Sequence, residues 1–181
     1  MKIGLFATSN RNKLREFEQI LGTKLKQAEL QLNEIQAIDV EDVIEEKAKE
    51  AYKLVGKPVL VEDTGLYIEA LNSFPGALIK WLLATTGRDG VIRMLAMEKN
   101  RRAFAKTAVG FYDGSKVYVF VGKVKGRIPD EVRGESGFGW DPIFIPNGYS
   151  KTFAELGERT KNRISMRSIA LRKLKSYLKS R

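Results

Sequence analysis

The chain has 181 residues, a net charge of +10, and neither cysteine nor histidine. Disulfides, thiolate nucleophiles, Cys/His zinc sites and His-dependent triads are thereby excluded, so acid–base or metal chemistry falls to Asp, Glu, Lys, Tyr or the backbone. Hydrophobic residues make up 43% and charged residues 30%, a balance that supports a packed core and argues against wholesale disorder.

The first apolar segment, residues 3–7, reads as a buried strand, and Leu14, Phe17, Ile20 and Leu21 then recur at helical spacing after a polar loop from Thr8 to Asn12. Asp39 or Asp42 can cap a second helix carrying Val43, Ile44, Ala48, Ala51 and Val55, stopped by Gly56 and Pro58. Val59, Leu60 and Val61 form a strand buried on both faces that runs into Glu62 and Asp63. Beyond a break at Phe74, Pro75 and Gly76, two short helices are expected around Ala77 to Ala84 and Asp89 to Glu98. Residues 103–112 and 116–125 alternate as strands, with Asp113 and Gly114 as a two-residue hairpin turn. Later come a glycine-rich loop, a short strand from Ile143 to Ile145 ended by Pro146, and a turn at Asn147 and Gly148. Ser165 caps a final helix striped with Met166, Ala170, Leu171, Leu174 and Leu178. The order is that of a mixed α/β fold. With neither repeat nor linker, residues 1–181 are expected to form a single domain. The N-terminal apolar stretch is too short for a secretory signal and no run approaches a membrane span, so a soluble cytoplasmic protein is expected.

The charge is unevenly placed. Nine Lys or Arg and no acid lie between Arg159 and Arg181, leaving 23 basic against 22 acidic residues before them. Such a segment suits nucleic acid or one wall of a polyphosphate site. Arg172 to Arg181 read as a solvated face, whereas Lys161 and Arg167 flank the start of the last helix, where charge and helix dipole act together on an anion.

Three further segments carry chemistry. Thr8, Ser9, Asn10, Arg11, Asn12 and Lys13 could cradle phosphate at a helix N-terminus, although an ordinary helix cap accounts better for that segment taken alone. Among the carboxylates Glu34, Glu62, Asp63 and Asp141, Asp63 follows an apolar strand. From there it could hold a hard cation such as Mg²⁺ or activate a water, unless Glu62, Asp63 and Gly65 make a solvated turn. Phe138, Gly139, Trp140 and Asp141 place aromatic rings beside glycines, which suits either stacking on a planar base or a packed tryptophan corner.

Taken together, residues 8–21, 61–76, 136–146 and 151–167 resemble the inosine/xanthosine triphosphate pyrophosphatase family, in family order and over most of the chain. The resemblance implies an elongated mixed sheet with flanking helices, two lobes around a nucleotide-binding cleft, and a homodimer. It implies hydrolysis of ITP, dITP or XTP to monophosphate and pyrophosphate with Mg²⁺. It assigns Thr8, Ser9, Asn10 and Lys13 to the triphosphate, Lys47 and Thr64 to substrate, Glu34 to the metal, and Asp63 to the metal or the attacking water's proton. Phe138, Gly139, Trp140 and Asp141 fall on the base loop, and Lys161 and Arg167 on phosphate or base. The chain departs at Met166, where the family reads His beside the base, and at Leu78, where Tyr is common. The rival readings are a Maf-like pyrophosphatase acting on modified pyrimidines and a nucleic-acid binder using the basic C-terminus.

Overall fold

A computed structural model describes residues 4–33 and 35–180. Strand β1 (Leu5–Ala7) leads through a loop into helix α1 (Arg11–Leu21), whose N-cap Asn10 accepts the N–H groups of Asn12 and Lys13 through Oδ1 at 3.0 and 3.2 Å. A short edge strand β2 (Lys26–Ala28) pairs parallel to β1. Helix α2 (Val40–Val55) is capped by Asp39 and closed by Gly56 in the left-handed region, as its sequence predicts.

Strand β3 (Val59–Ile68) is longer than the expected apolar triplet. Residues 62–65 are not a turn: they pair in register with β5 (Arg102–Tyr112), Glu62 opposite Val109 and Asp63 opposite Ala108. A short 3-10 turn (Glu69–Leu71) and strand β4 (Pro75–Gly76), which folds back on β3, lead into α3 (Ile79–Met94). The two expected helices are one element kinked at Gly87 (φ 68°), and it ends before Glu98. The hairpin of β5 and β6 (Val117–Arg127) is present, but its ladder closes at Tyr112 opposite Val117. The connection therefore has four residues rather than two, and the Asp113 carboxylate accepts the N–H groups of Ser115 and Lys116. The strand expected from Ile143 to Ile145 is shifted: Ile143 closes a 3-10 turn (Asp141–Ile143), and β7 (Ile145–Pro146) includes the proline expected to end it. An unforeseen helix α4 (Phe153–Ile164), opened by a Thr152–Glu155 capping box, precedes α5 (Met166–Lys179).

The mixed sheet runs β2-β1-β3-β5-β6-β7, with β4 beside β3. Because side chains alternate faces along a strand, Val59 and Val61 pack with Ile44, Ala48 and Ala51 of α2, while Leu60 packs on the other face with Phe17 of α1 and Leu171 and Leu174 of α5. A third cluster joins the distal half of β3 to α3 and α4 through Leu66, Ile68, Leu95, Phe144 and Phe153. The sites described below open between these groups. Among the described residues no helix is long and apolar enough to cross a membrane.

Helix α5 lies so close to β6 that a Cβ built on Gly122 would overlap the Met166 carbonyl oxygen and approach Ala170 N to 2.8 Å. Gly122→Ala is expected to lose about 1–3 kcal/mol by forcing a backbone shift. Gly4→Ala, where nothing lies within 4 Å, is expected to change stability by no more than about 0.5 kcal/mol. Urea unfolding of the two variants checks the contrast.

Candidate active site: two joined cavities across an ion ladder

The pleat of β3 sends its two adjacent carboxylates to opposite faces. Glu62 lies on the α1/α5 side and contacts Lys13 Nζ at 2.7 Å and Arg167 Nη2 at 2.9 Å. Asp63 lies on the α2 side, 3.7 Å from Lys47 Nζ, which also donates to the Glu62 carbonyl at 3.3 Å. Thr64 returns to the first face, where its hydroxyl donates to Glu62 and lies 2.8 Å from the Thr107 hydroxyl on β5.

From Glu62 an alternating chain of charges runs through the interior. Arg167 bonds Glu16 through its other Nη group; Glu16 holds Lys161 at 2.8 Å, and Lys161 reaches Asp141 at 2.7 Å. Asp141 also accepts the Phe138 N–H at 2.8 Å, which fixes the glycine-rich loop. Three acids alternate with three bases, so the ladder is neutral. Lys13, 21% exposed, is where it reaches solvent; Arg167 and Glu62 are sealed. Burial pushes the Glu62 and Glu16 carboxyls up, but the facing charges, Arg167 and Lys13 for Glu62, Arg167 and Lys161 for Glu16, outweigh it and hold both below the usual carboxylate range. At Asp141 burial wins and raises the carboxyl. Arg167 is held still more firmly protonated by its two glutamates, although burial opposes this.

Two cavities flank the ladder. A polar one of about 530 Å³ is lined by Thr8, Ser9, Asn10, Lys13, Lys47 and Asp63, together with Leu78 and Trp81. A more apolar one of about 620 Å³ is lined by Ile79 and Leu83 of α3, the Phe138, Gly139, Trp140 and Asp141 loop, and Lys161, Met166 and Arg167. Asn10, Lys13, Thr64 and Lys80 belong to both.

The expected site residues therefore converge, with qualifications. Arg11 and Asn12 line neither cavity, and the Asn10 side chain serves as a helix cap that already uses two of the N–H groups at the start of α1. Trp140 is a packed corner against Phe144 and Phe153, with ring centroids 5.6 and 6.3 Å away. Phe138 is the half-buried ring, with Lys161 Nζ 4.2 Å and the Arg167 guanidinium 5.5 Å from its centre. Gly137 adopts φ 79°, and a Cβ there would overlap the Asp141 carboxylate. Met166 is buried in the third core cluster. Glu34 lies outside the described residues. Glu16 was not foreseen, though a charged residue one position from Phe17, on the buried face of α1, is an anomaly that signals a partner.

Among the described residues no group of three or more acids could hold a metal unaided. Asp63 offers a carboxylate to the polar cavity, whereas both Glu62 oxygens face cations. One carboxylate beside a polar cavity suits Mg²⁺, which binds through one or two carboxylates and completes its shell with substrate phosphates and water.

A cationic, hydroxyl-rich cavity joined to an apolar aromatic one defines an α/β protein for a ligand with an anionic end and a planar end. The chain belongs to the Ham1 family, which it matches over residues 4–177. It is 42% identical to a dITP/XTP pyrophosphatase of Methanopyrus kandleri over 99% of this chain and 97% of that one. It is 44% identical to an inosine triphosphate pyrophosphatase of Yarrowia lipolytica over 96% and 94%. Among solved structures, a HAM1 protein from Coxiella burnetii superposes with a TM-score of 0.87 at 30% identity over the whole of both chains.

Removing Arg167 leaves Glu16 and Glu62 buried and uncompensated, so Arg167→Ala is expected to cost about 3–5 kcal/mol, read by denaturant unfolding. Because Glu16 and Glu62 titrate lower folded than unfolded, the unfolded chain takes up protons first on acidification. Their stabilisation is full above the ordinary carboxylate range and is lost as pH falls through the folded values; Asp141, shifted upward, offsets part of it. Stability is expected to fall below about pH 5, and the fall should be shallower in Glu62→Gln.

Proposed function

We propose that the protein hydrolyses the non-canonical purine nucleoside triphosphates ITP, dITP and XTP to monophosphate and pyrophosphate. The observation that carries this reading is the joining of the two cavities at Lys13 and Thr64, so that one ligand can place its triphosphate beside Asp63 and its base beside Phe138. Thr8, Ser9 and Asn10 would bind phosphate oxygens by hydrogen bonding, and Lys13 and Lys47 by charge. Asp63, with Glu34 and the phosphates, would hold Mg²⁺, which when bound neutralises the developing phosphate charge.

Asp63 takes a proton at a carboxylate oxygen from the water that attacks the α-phosphorus. The bond from that phosphorus to the bridging oxygen breaks, and pyrophosphate leaves. Phe138 stacks on the base. Arg167 lines the apolar cavity, where a guanidinium donor would suit the 6-oxo group of hypoxanthine or xanthine. The same reading makes the enzyme a cytoplasmic homodimer.

A panel of canonical and deaminated triphosphates with Mg²⁺, scored for pyrophosphate against orthophosphate, tests the activity; orthophosphate as first product would overturn the cleavage position. Chelation of divalent cations is expected to abolish turnover, and Asp63→Asn to lower kcat by at least about a hundredfold in a folded protein.

The nucleic-acid reading predicts otherwise for the C-terminus. Lys173 and Lys175 donate to the Val121 and Leu21 carbonyls from an exposed face of α5. Exchanging Lys175 and Lys179 for Gln is expected to leave hydrolysis within about twofold. Salt-sensitive DNA binding lost with these two residues would favour the rival.

A further inference from the structure

The base cavity has one wall made by α3, and its charge is not balanced like the rest. Lys13, Lys161 and Arg167 each face a carboxylate of the ladder. Lys80 is shared with the polar cavity and lies 5.5 Å from the centre of its neighbour's ring at Trp81. Arg88 differs. It lines the base cavity alone, is exposed, and immediately follows the kink at Gly87. Its Nε–H donates to the Gly139 carbonyl at 2.7 Å, bridging α3 to the base loop. That partner is neutral, and among the described residues no carboxylate lies within ion-pair distance of Arg88. Asp89 lines the same cavity without pairing to it. A guanidinium held through Nε keeps its two Nη groups, four N–H donors in a fixed fork, for another acceptor.

Resting on the proposed activity, we infer that Arg88 is a specificity-determining residue that favours xanthine over hypoxanthine in the base cavity. The two bases share the 6-oxo group assigned to Arg167 on α5, so nothing on that wall separates them. They differ at the 2-position, where xanthine carries a second oxo group and hypoxanthine only hydrogen. They differ also in charge: xanthine loses a ring proton just below neutral pH, whereas hypoxanthine keeps its own well above it. A cation without a carboxylate partner, on α3 rather than α5 and bonded to the loop that carries Phe138, complements both differences. It meets an additional acceptor and an additional negative charge.

The test is equilibrium binding of the nucleoside monophosphates XMP and IMP to the full chain by calorimetry, above and below the pH at which the xanthine ring ionises. In the wild-type protein the ratio of the IMP to the XMP Kd is expected to rise with pH. Arg88→Gln should lower that ratio about fivefold at the higher pH, the scale of one ion contact near a protein surface, and flatten its pH dependence. Arg88→Lys, which retains the charge, should restore most of the pH dependence. Equal weakening of XMP and IMP, or an unchanged ratio, would reduce Arg88 to a tether for the base loop and overturn the inference. A wild-type chain that binds XMP selectively but cleaves neither ITP nor XTP would instead sink the proposed hydrolysis while leaving the Arg88 assignment standing.

Discussion

The structure turns on Arg167, a fully charged side chain sealed inside the protein between Glu16 and Glu62. Six ionisable groups along one interior line cost desolvation that their mutual attraction offsets only when geometry and neutrality are both kept. A hydrophobic replacement of the whole set could match its stability, so stability is a poor reason for its presence. What it supplies is position. The ladder ties α1, β3, α4, α5 and the glycine-rich loop to one another through bonds with fixed directions. It thereby sets the distance between Lys13, where the two cavities join, and Phe138 in the apolar one. The ladder ends at the polar cavity on Lys13, whose ammonium is shared between Glu62 and whatever anion enters there.

The pleat of one strand does the second half of the work. Glu62 and Asp63 are neighbours in sequence with the same charge, yet the two-residue period of β3 gives them opposite faces and opposite fates. Glu62 is spent on the ladder. Asp63 stands in the polar cavity beside Lys47. A one-residue slip of β3 against β5 would exchange them, burying Asp63 against Arg167 and leaving Leu60 on the α2 side. The core residues that fix this register, Val59, Leu60 and Val61, are therefore also what fixes which carboxylate pairs with Lys47 and which with Arg167.

What could be read from the sequence was what local chemistry decides. Asn10, Asp39 and Ser165 are caps by residue type, Gly56 closes a helix, and alternation marks the long hairpin. The segments around Thr8 to Lys13 and Phe138 to Asp141 stand out as blocks, while the roles proposed for them rest on family resemblance. The failures lie where partners distant in sequence decide. Glu62 to Gly65 look like a turn because the residue types are turn formers, yet β5 offers a full ladder of partners and Gly65 admits the close approach of Tyr67 and the Gly76 backbone. Strand β2 is three partly polar residues on a sheet edge and carries no periodic signal. Helix α4 was announced by Thr152 and Glu155 at capping-box spacing, but the left-handed Gly157 interrupts its pattern after one turn. Trp140 invites a stacking role by type, and only the packing of Phe144 and Phe153 around it shows that Phe138 holds the exposed ring face.

Under the proposed activity, discrimination among purines reduces to donors placed on two walls. Arg167 lines the cavity from α5, where a guanidinium donor would pair with a 6-oxo group but oppose donor to donor with adenine's 6-amino group. Guanine passes that wall, since it shares the 6-oxo group. Its exclusion has to come from the 2-position, where its amino group is a donor. If Arg88 meets the 2-position as inferred, it would oppose donor to donor with guanine, whereas hypoxanthine brings only hydrogen and xanthine an acceptor. Met166 lies at the start of α5 and contributes surface without a polar group. With no imidazole available at that position, the two guanidinium groups and the loop backbone must carry the polar recognition, and both are held in place by carbonyl and carboxylate partners already within the protein.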